Sequence, residues 1–171
     1  RVAILTMEHE GRRFWLLLLF VLILLGAEGG LCRAQGKGGD SRPLGMSQLT
    51  QAEKWVLEKV GAGEVADLKE RFSDEEAPRR LRARFLEALL TDGIPGFKAH
   101  RSGVYLAHAI VPDPLSLEFA TVPHAVFFVG CRIQGPSNFT GCEFKKSFSL
   151  VQTFFAQPAN FYRLKVGMDA S

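Results

Sequence analysis

The sequence predicts a mostly β protein in which short strands stack as successive coils, preceded by a small α-helical cap and an N-terminal signal helix. Three observations carry this expectation. From Ala109 to Ser171 the chain repeats every eleven residues. Pro112, Pro123, Pro136 and Pro158 fall between the apolar positions of that repeat, where a corner tolerates a missing N–H. Ahead of it, residues 48–102 change to helical apolar spacing, opening on a capping box.

Cut at its period, the repeat reads AIVPDPLSLEF, ATVPHAVFFVG, CRIQGPSNFTG, CEFKKSFSLVQ, TFFAQPANFYR and LKVGMDAS. The first column holds Ala109, Ala120, Cys131, Cys142, Thr153 and Leu164, all small but the last. The third holds Val111, Val122, Ile133, Phe144, Phe155 and Val166, and the ninth Leu117, Phe128, Phe139, Leu150 and Phe161. A short extended segment cannot bury its own apolar side chain, but stacked copies share one core. Each column then becomes an inward ladder, with rungs about 4.8 Å apart. Eleven-residue periodicity also suits a right-handed helical coiled coil, but recurrent Pro, Gly and β-branched residues exclude a long helix. An antiparallel sandwich is the competing arrangement; it needs hairpin turns, and this stretch has no Asn-Gly or Asp-Gly.

The segments F-T-G-C-E-F and Q-P-A-N-F resemble pentapeptide-repeat proteins, in the variety whose central Phe or Leu recurs at five-then-six spacing. The resemblance covers about the last third of the chain and implies a right-handed, four-sided β-helix over residues 103–171. It implies central inward residues Phe128, Ile133, Phe139, Phe144, Leu150, Phe155, Phe161 and Val166. Cys131, Ser137, Cys142, Thr153 and Ala159 would be their small inward partners. Phe148 and Leu164 depart from the pattern, and would crowd or bend the core.

The start of the chain has the three-part form of a secretory signal over residues 1–34. Met7 is the expected beginning, followed by Arg12 and Arg13, an apolar run from Phe14 to Leu25, and small residues up to cleavage after Ala34. The run is shorter than the ~20 residues that cross a bilayer, so export is expected, with an anchor at residues 14–27 as the alternative. Residues 35–47, rich in Gly and charge, read as a flexible tether.

In the cap, Thr50-Gln-Ala-Glu53 starts a helix whose Ala52, Trp55, Val56 and Val60 share a face, with Gly61 and Gly63 ending it. Val65, Ala66, Leu68 and Phe72 suggest a further helical turn or two. Pro78 is expected to open a third helix with an apolar stripe of Leu81, Phe85, Ala88 and Leu89, ending near Gly93. These pieces are too small for a core of their own, so they should cover the first coil and its open strand edge. Their order, L-T-Q-A-E, G-E-V-A-D-L, L-R-A-R-F-L-E-A-L-L and R-S-G-V-Y-L-A-H-A-I, is similar to the N-terminal region of certain bacterial pentapeptide-repeat proteins. Some of those are described as membrane-associated oxidoreductases, but no G-x-G-x-x-G opens a helix here.

Candidate chemistry is sparse, and no enzyme is expected. Arg79, Arg80, Arg82 and Arg84 crowd one expected helix and form a candidate patch for phosphates or anionic lipid. Neighbouring Asp74, Glu75 and Glu76 make an ordinary solvated face the simpler expectation. His100, His108 and His124 lack metal-ligand spacing, and no nucleophile–base set is apparent. Asn138-Phe-Thr140 satisfies a glycosylation pattern, but the family resemblance makes Phe139 a core residue in a bacterial protein. The formal charge of +3 arises mostly in the N-terminal half. From residue 103 onward, Asp113, Glu118, Glu143 and Asp169 nearly balance Arg132, Lys145, Lys146, Arg163 and Lys165. That is neither the acidic surface of a DNA mimic nor the basic stripe of a nucleic-acid binder.

The expected function is therefore a non-catalytic, exported scaffold of the bacterial cell envelope, without cofactor or metal, that binds a protein partner or an envelope surface. The alternative is the extracytoplasmic part of a larger membrane protein, channel-like or enzymatic. Cys131 and Cys142 share a column one unit apart, which places them on opposite walls of a four-sided coil as unlinked thiols.

Overall fold

The computed structural model describes residues 44–73 and 75–167. The expected signal, the alternative anchor and the start of the tether lie outside them. The tether's end does not behave as one: Leu44 is buried, and Met46–Gln48 form a 3-10 turn. Helix α1, Gln51–Ala62, starts as expected, with Thr50 Oγ1 accepting from Glu53 N and Glu53 accepting from Thr50 N. It stops at Gly63, whose φ of 77° is the left-handed conformation glycine adopts without strain. Among the described residues no helix is long and apolar enough to cross a membrane.

Two cap expectations need correction. Val65–Asp67 is not helical: Ala66–Asp67 form strand β1, and only Leu68–Phe72 coil, as α2, capped by the Asp67 carboxylate. Pro78 does not open the third helix either. It sits in a 3-10 turn, Ala77–Arg79, and α3 runs only from Ala83 to Leu90. The cause is shared. β1 pairs in parallel with the first long strand, and Arg80 bridges to Ile110, with Leu81 N donating to Ile110 O at 2.8 Å. Edge pairing satisfies backbone groups that a local helix would otherwise have satisfied.

Beyond the cap come twelve short strands: β2 (Val104–Ala107), β3 (Ile110–Val111), β4 (Leu115–Ser116), β5 (Thr121–Val122), β6 (Val126–Val129), β7 (Arg132–Ile133), β8 (Ser137–Asn138), β9 (Glu143–Phe144), β10 (Phe148–Val151), β11 (Phe154–Phe155), β12 (Ala159–Asn160) and β13 (Lys165–Val166). Each pairs in parallel with the strand four places on: Val104 with Val126 with Phe148, Ile110 with Arg132 with Phe154. They form four sheets: sheet 1 is β1-β2-β6-β10, sheet 2 β3-β7-β11, sheet 3 β4-β8-β12 and sheet 4 β5-β9-β13. Stacked short parallel strands of this kind are compatible with a β-solenoid, and no hairpin links them. The structural period is therefore two of the eleven-residue units, so alternate units fall in different sheets.

This period accounts for Phe148. In sheet 1, β2, β6 and β10 are four residues long and send two large residues inward: Val104 and Leu106, then Val126 and Phe128, then Phe148 and Leu150. Phe148 therefore continues a Val–Val column, not a small one, and stacks on Phe144 with ring centroids 4.0 Å apart. In sheet 3 the paired column shrinks from Leu115 to Ser137 to Ala159. The sheet 1 column thus grows where the sheet 3 column shrinks, a trade that would conserve core volume.

Candidate functional site

Of the expected core ladder, Val111, Leu117, Val122, Phe128, Ile133, Phe139 and Phe144 are buried, as are Cys131 and Cys142. Ala120 is half-buried on the first coil. On the last coil Leu150, Thr153, Phe155 and Ala159 are only half-buried, while Phe161 and Val166 are 37% and 45% exposed. The inward register extends to these positions, but among the described residues no further coil covers them.

The first coil is covered at its outer edge by several different groups. β1 closes sheet 1, and the Arg80–Leu81 bridge closes sheet 2. At sheet 3 the Glu87 carboxylate of α3 accepts from Ser116 N at 2.7 Å. The apolar face of α3, with Phe85, Leu86, Leu89 and Leu90, is buried. Two histidines fasten the same junction: His108 Nδ1 lies 2.9 Å from Asp67 Oδ1, and His124 Nε2 lies 2.7 Å from Asp92 Oδ1. His100 contacts Ser102 Oγ. Among the described residues no group of His, Cys, Asp and Glu could hold a metal.

The four candidate anion-binding arginines do not share one helix. Arg79 ends the 3-10 turn, Arg80 makes the bridge, Arg82 is the N-cap of α3, and Arg84 lies within it. Arg82 is already committed: its Nε donates to Glu53 Oε1 at 2.8 Å, and its Nη2 to Glu53 Oε2 and Gln48 O. Burial alone would raise the Glu53 carboxyl, but the Arg82 guanidinium and the Thr50 and Arg82 N–H groups overcome it and hold the group below its usual range. A cleft of ≈ 310 Å³ beside this pair is bordered by Thr50, Phe72, Pro78, Arg80 and Pro112, with no nucleophile–base pair among them. Glu53 thus both caps α1 and anchors α3. The capping box was legible in the sequence, whereas its partner 29 residues away was not.

The outer face of sheet 1 had no sequence signal beyond the recurrence of aromatic and β-branched residues. Tyr105 and Phe127, paired neighbours in register, stack with centroids 4.3 Å apart and a 10° interplanar angle. Beside them Val129 and Val151, also register partners, are exposed. By strand alternation these four side chains point away from the core. No protein-family model, curated protein or solved structure matches the chain.

Proposed function

We propose that the chain is a pentapeptide-repeat protein, a right-handed four-sided β-helix with a helical N-terminal cap, and that it serves as a non-catalytic exported scaffold. Support for the fold comes from the four-strand recurrence of pairing and the eleven-residue columns. The observation that carries the function is the apolar outer wall of sheet 1, where Tyr105, Phe127, Val129 and Val151 stand in register on a regular surface. Aromatic and aliphatic residues aligned on such a wall are suited to a protein partner or an envelope surface, because they offer contact area at little side-chain entropy cost.

The test is site-specific photo-crosslinking in the producing cell. A crosslinker at Phe127 should give a discrete adduct, and one at Ser116, on the outer face of sheet 3, should not. Equal labelling from both positions, or from neither, would count against an outer-wall binding surface. Cell fractionation tests export: recovery in the cytoplasm would remove the envelope role.

A further inference from the structure

We infer that the cleft beside α1 is a binding site for a small monocarboxylate with a compact apolar body, of the aryl- or alkyl-alkanoate class. Its ≈ 310 Å³ stands at the lower end of the range for small-ligand sites. That suits a ligand of roughly ten to fifteen non-hydrogen atoms. Separate pieces of the fold build it: the start of α1, Phe72 at the end of α2, the 3-10 turn at Ala77 and Pro78, the bridging Arg80, and Pro112 of the first coil.

The chemistry of the border is lopsided, and the imbalance selects the ligand. Phe72, Ala77, Pro78 and Pro112 supply an apolar wall. The polar groups are rich in donors: the Arg80 and Arg82 guanidinium groups, the Thr50 hydroxyl and the Gln51 carboxamide. Among the described residues no carboxylate borders the cleft. Arg82 is matched by Glu53, to which it donates from Nε and Nη2. Arg80 is not matched: its main chain bridges to Ile110, but among the described residues its side chain makes no hydrogen bond or ion pair. One spare cation beside an apolar wall calls for a monoanion with an apolar body. A carboxylate is the planar acceptor that a guanidinium holds with two parallel hydrogen bonds.

The wall is also largely preformed. Pro78 and Pro112 have fixed φ, and the Phe72 ring is held edge-on by Trp55 at 5.9 Å, so little freedom is lost when a ligand packs there. Because the border draws on cap and first coil together, an occupant stabilises their assembled junction. The outer wall of sheet 1 takes no part, so this site stands or falls separately from the scaffold function.

The experiment is a ligand-observed NMR titration of the full chain in phosphatidylcholine nanodiscs, with empty discs as the blank and 4-phenylbutyrate as the probe. Saturable binding with a dissociation constant on the order of 0.1–1 mM is expected. 4-Phenylbutanol keeps the body without the charge, and acetate and inorganic phosphate keep charge without the body; each should bind at least about tenfold more weakly. Arg80→Gln should weaken phenylbutyrate about 10–100-fold and leave phenylbutanol unchanged, a loss of the acid–alcohol difference that unfolding does not produce. Ala77→Trp, at an exposed lining position, should abolish binding by filling the cleft. Arg101→Gln, an exposed cation outside the cleft, should bind like wild type. The probe should raise the thermal midpoint of wild type and not of Ala77→Trp. No saturable binding, equal binding of acid and alcohol, phosphate as tight as phenylbutyrate, or binding indifferent to Arg80→Gln would each overturn the proposal.

Discussion

Truncation along a single column should show a gradient of cost that reports how completely each coil is covered. Leu117, Phe139 and Phe161 occupy the same inward position on successive coils, with relative exposures of 1%, 0% and 37%. Phe139 is packed between coils: its ring stacks on Phe161 at 5.0 Å and meets Phe148 at 6.1 Å. At about 25 cal/mol per Å² over the ~150–200 Å² that a core Phe buries, Phe139→Ala loses ~4–5 kcal/mol, within the range measured for packed aromatics. Leu117→Ala should cost ~3 kcal/mol. Phe161 retains about two-thirds of the transfer contribution, and water can fill the space left on its open side, so Phe161→Ala should cost only ~2 kcal/mol. Urea unfolding at low protein concentration measures the three as midpoint shifts at unchanged slope. Equal costs for Phe139 and Phe161 under those conditions would refute the assignment of Phe161 to an uncovered coil.

Three further predictions concern groups inside the fold. Glu53→Gln should cost ~2–3 kcal/mol, less than a fully buried pair, because Arg82 is 40% exposed and regains water. The Glu53 carboxyl is held low, so its contribution is complete above the unfolded value near ~4.3 and disappears as pH falls through the folded one. Acid titrations of stability should accordingly be shallower in Glu53→Gln than in wild type. Ser137 Oγ is buried with no hydrogen-bond partner, so Ser137→Ala should leave thermal stability unchanged or raise it by up to ~1 kcal/mol. Cys131 and Cys142 precede β7 and β9, in sheets 2 and 4, and are unlinked. Burial pushes both thiols up to about 11, so alkylation should be slow until the protein unfolds. Because the unfolded thiols ionise first, near ~8.5, stability should decline as pH climbs from there towards the folded value. Replacing both cysteines with Ala should flatten that alkaline decline.

The inward columns were legible in the sequence because a solenoid rewards like residues at a fixed spacing, and that spacing is a property of the chain alone. Phe139, Phe144, Cys131 and Cys142 occupy buried positions for this local reason. Capping by Thr50 and Glu53 was legible too, since its partners are three residues apart. Whether a column member is covered depends instead on what stacks against it, which separates Phe161 and Val166 from Phe139 and Phe144 despite the same residue chemistry. Tertiary pairing likewise decided that Ala66 and Asp67 extend as β1, and that Arg80 leaves the helix to bridge Ile110. In both cases a distant strand edge needed backbone partners, and that need has no signature in local sequence. The attachment of Arg82 to Glu53, and of His108 and His124 to aspartates of the cap, belongs to the same class. These contacts join residues 29 to 41 positions apart, and only the folded chain brings them within reach.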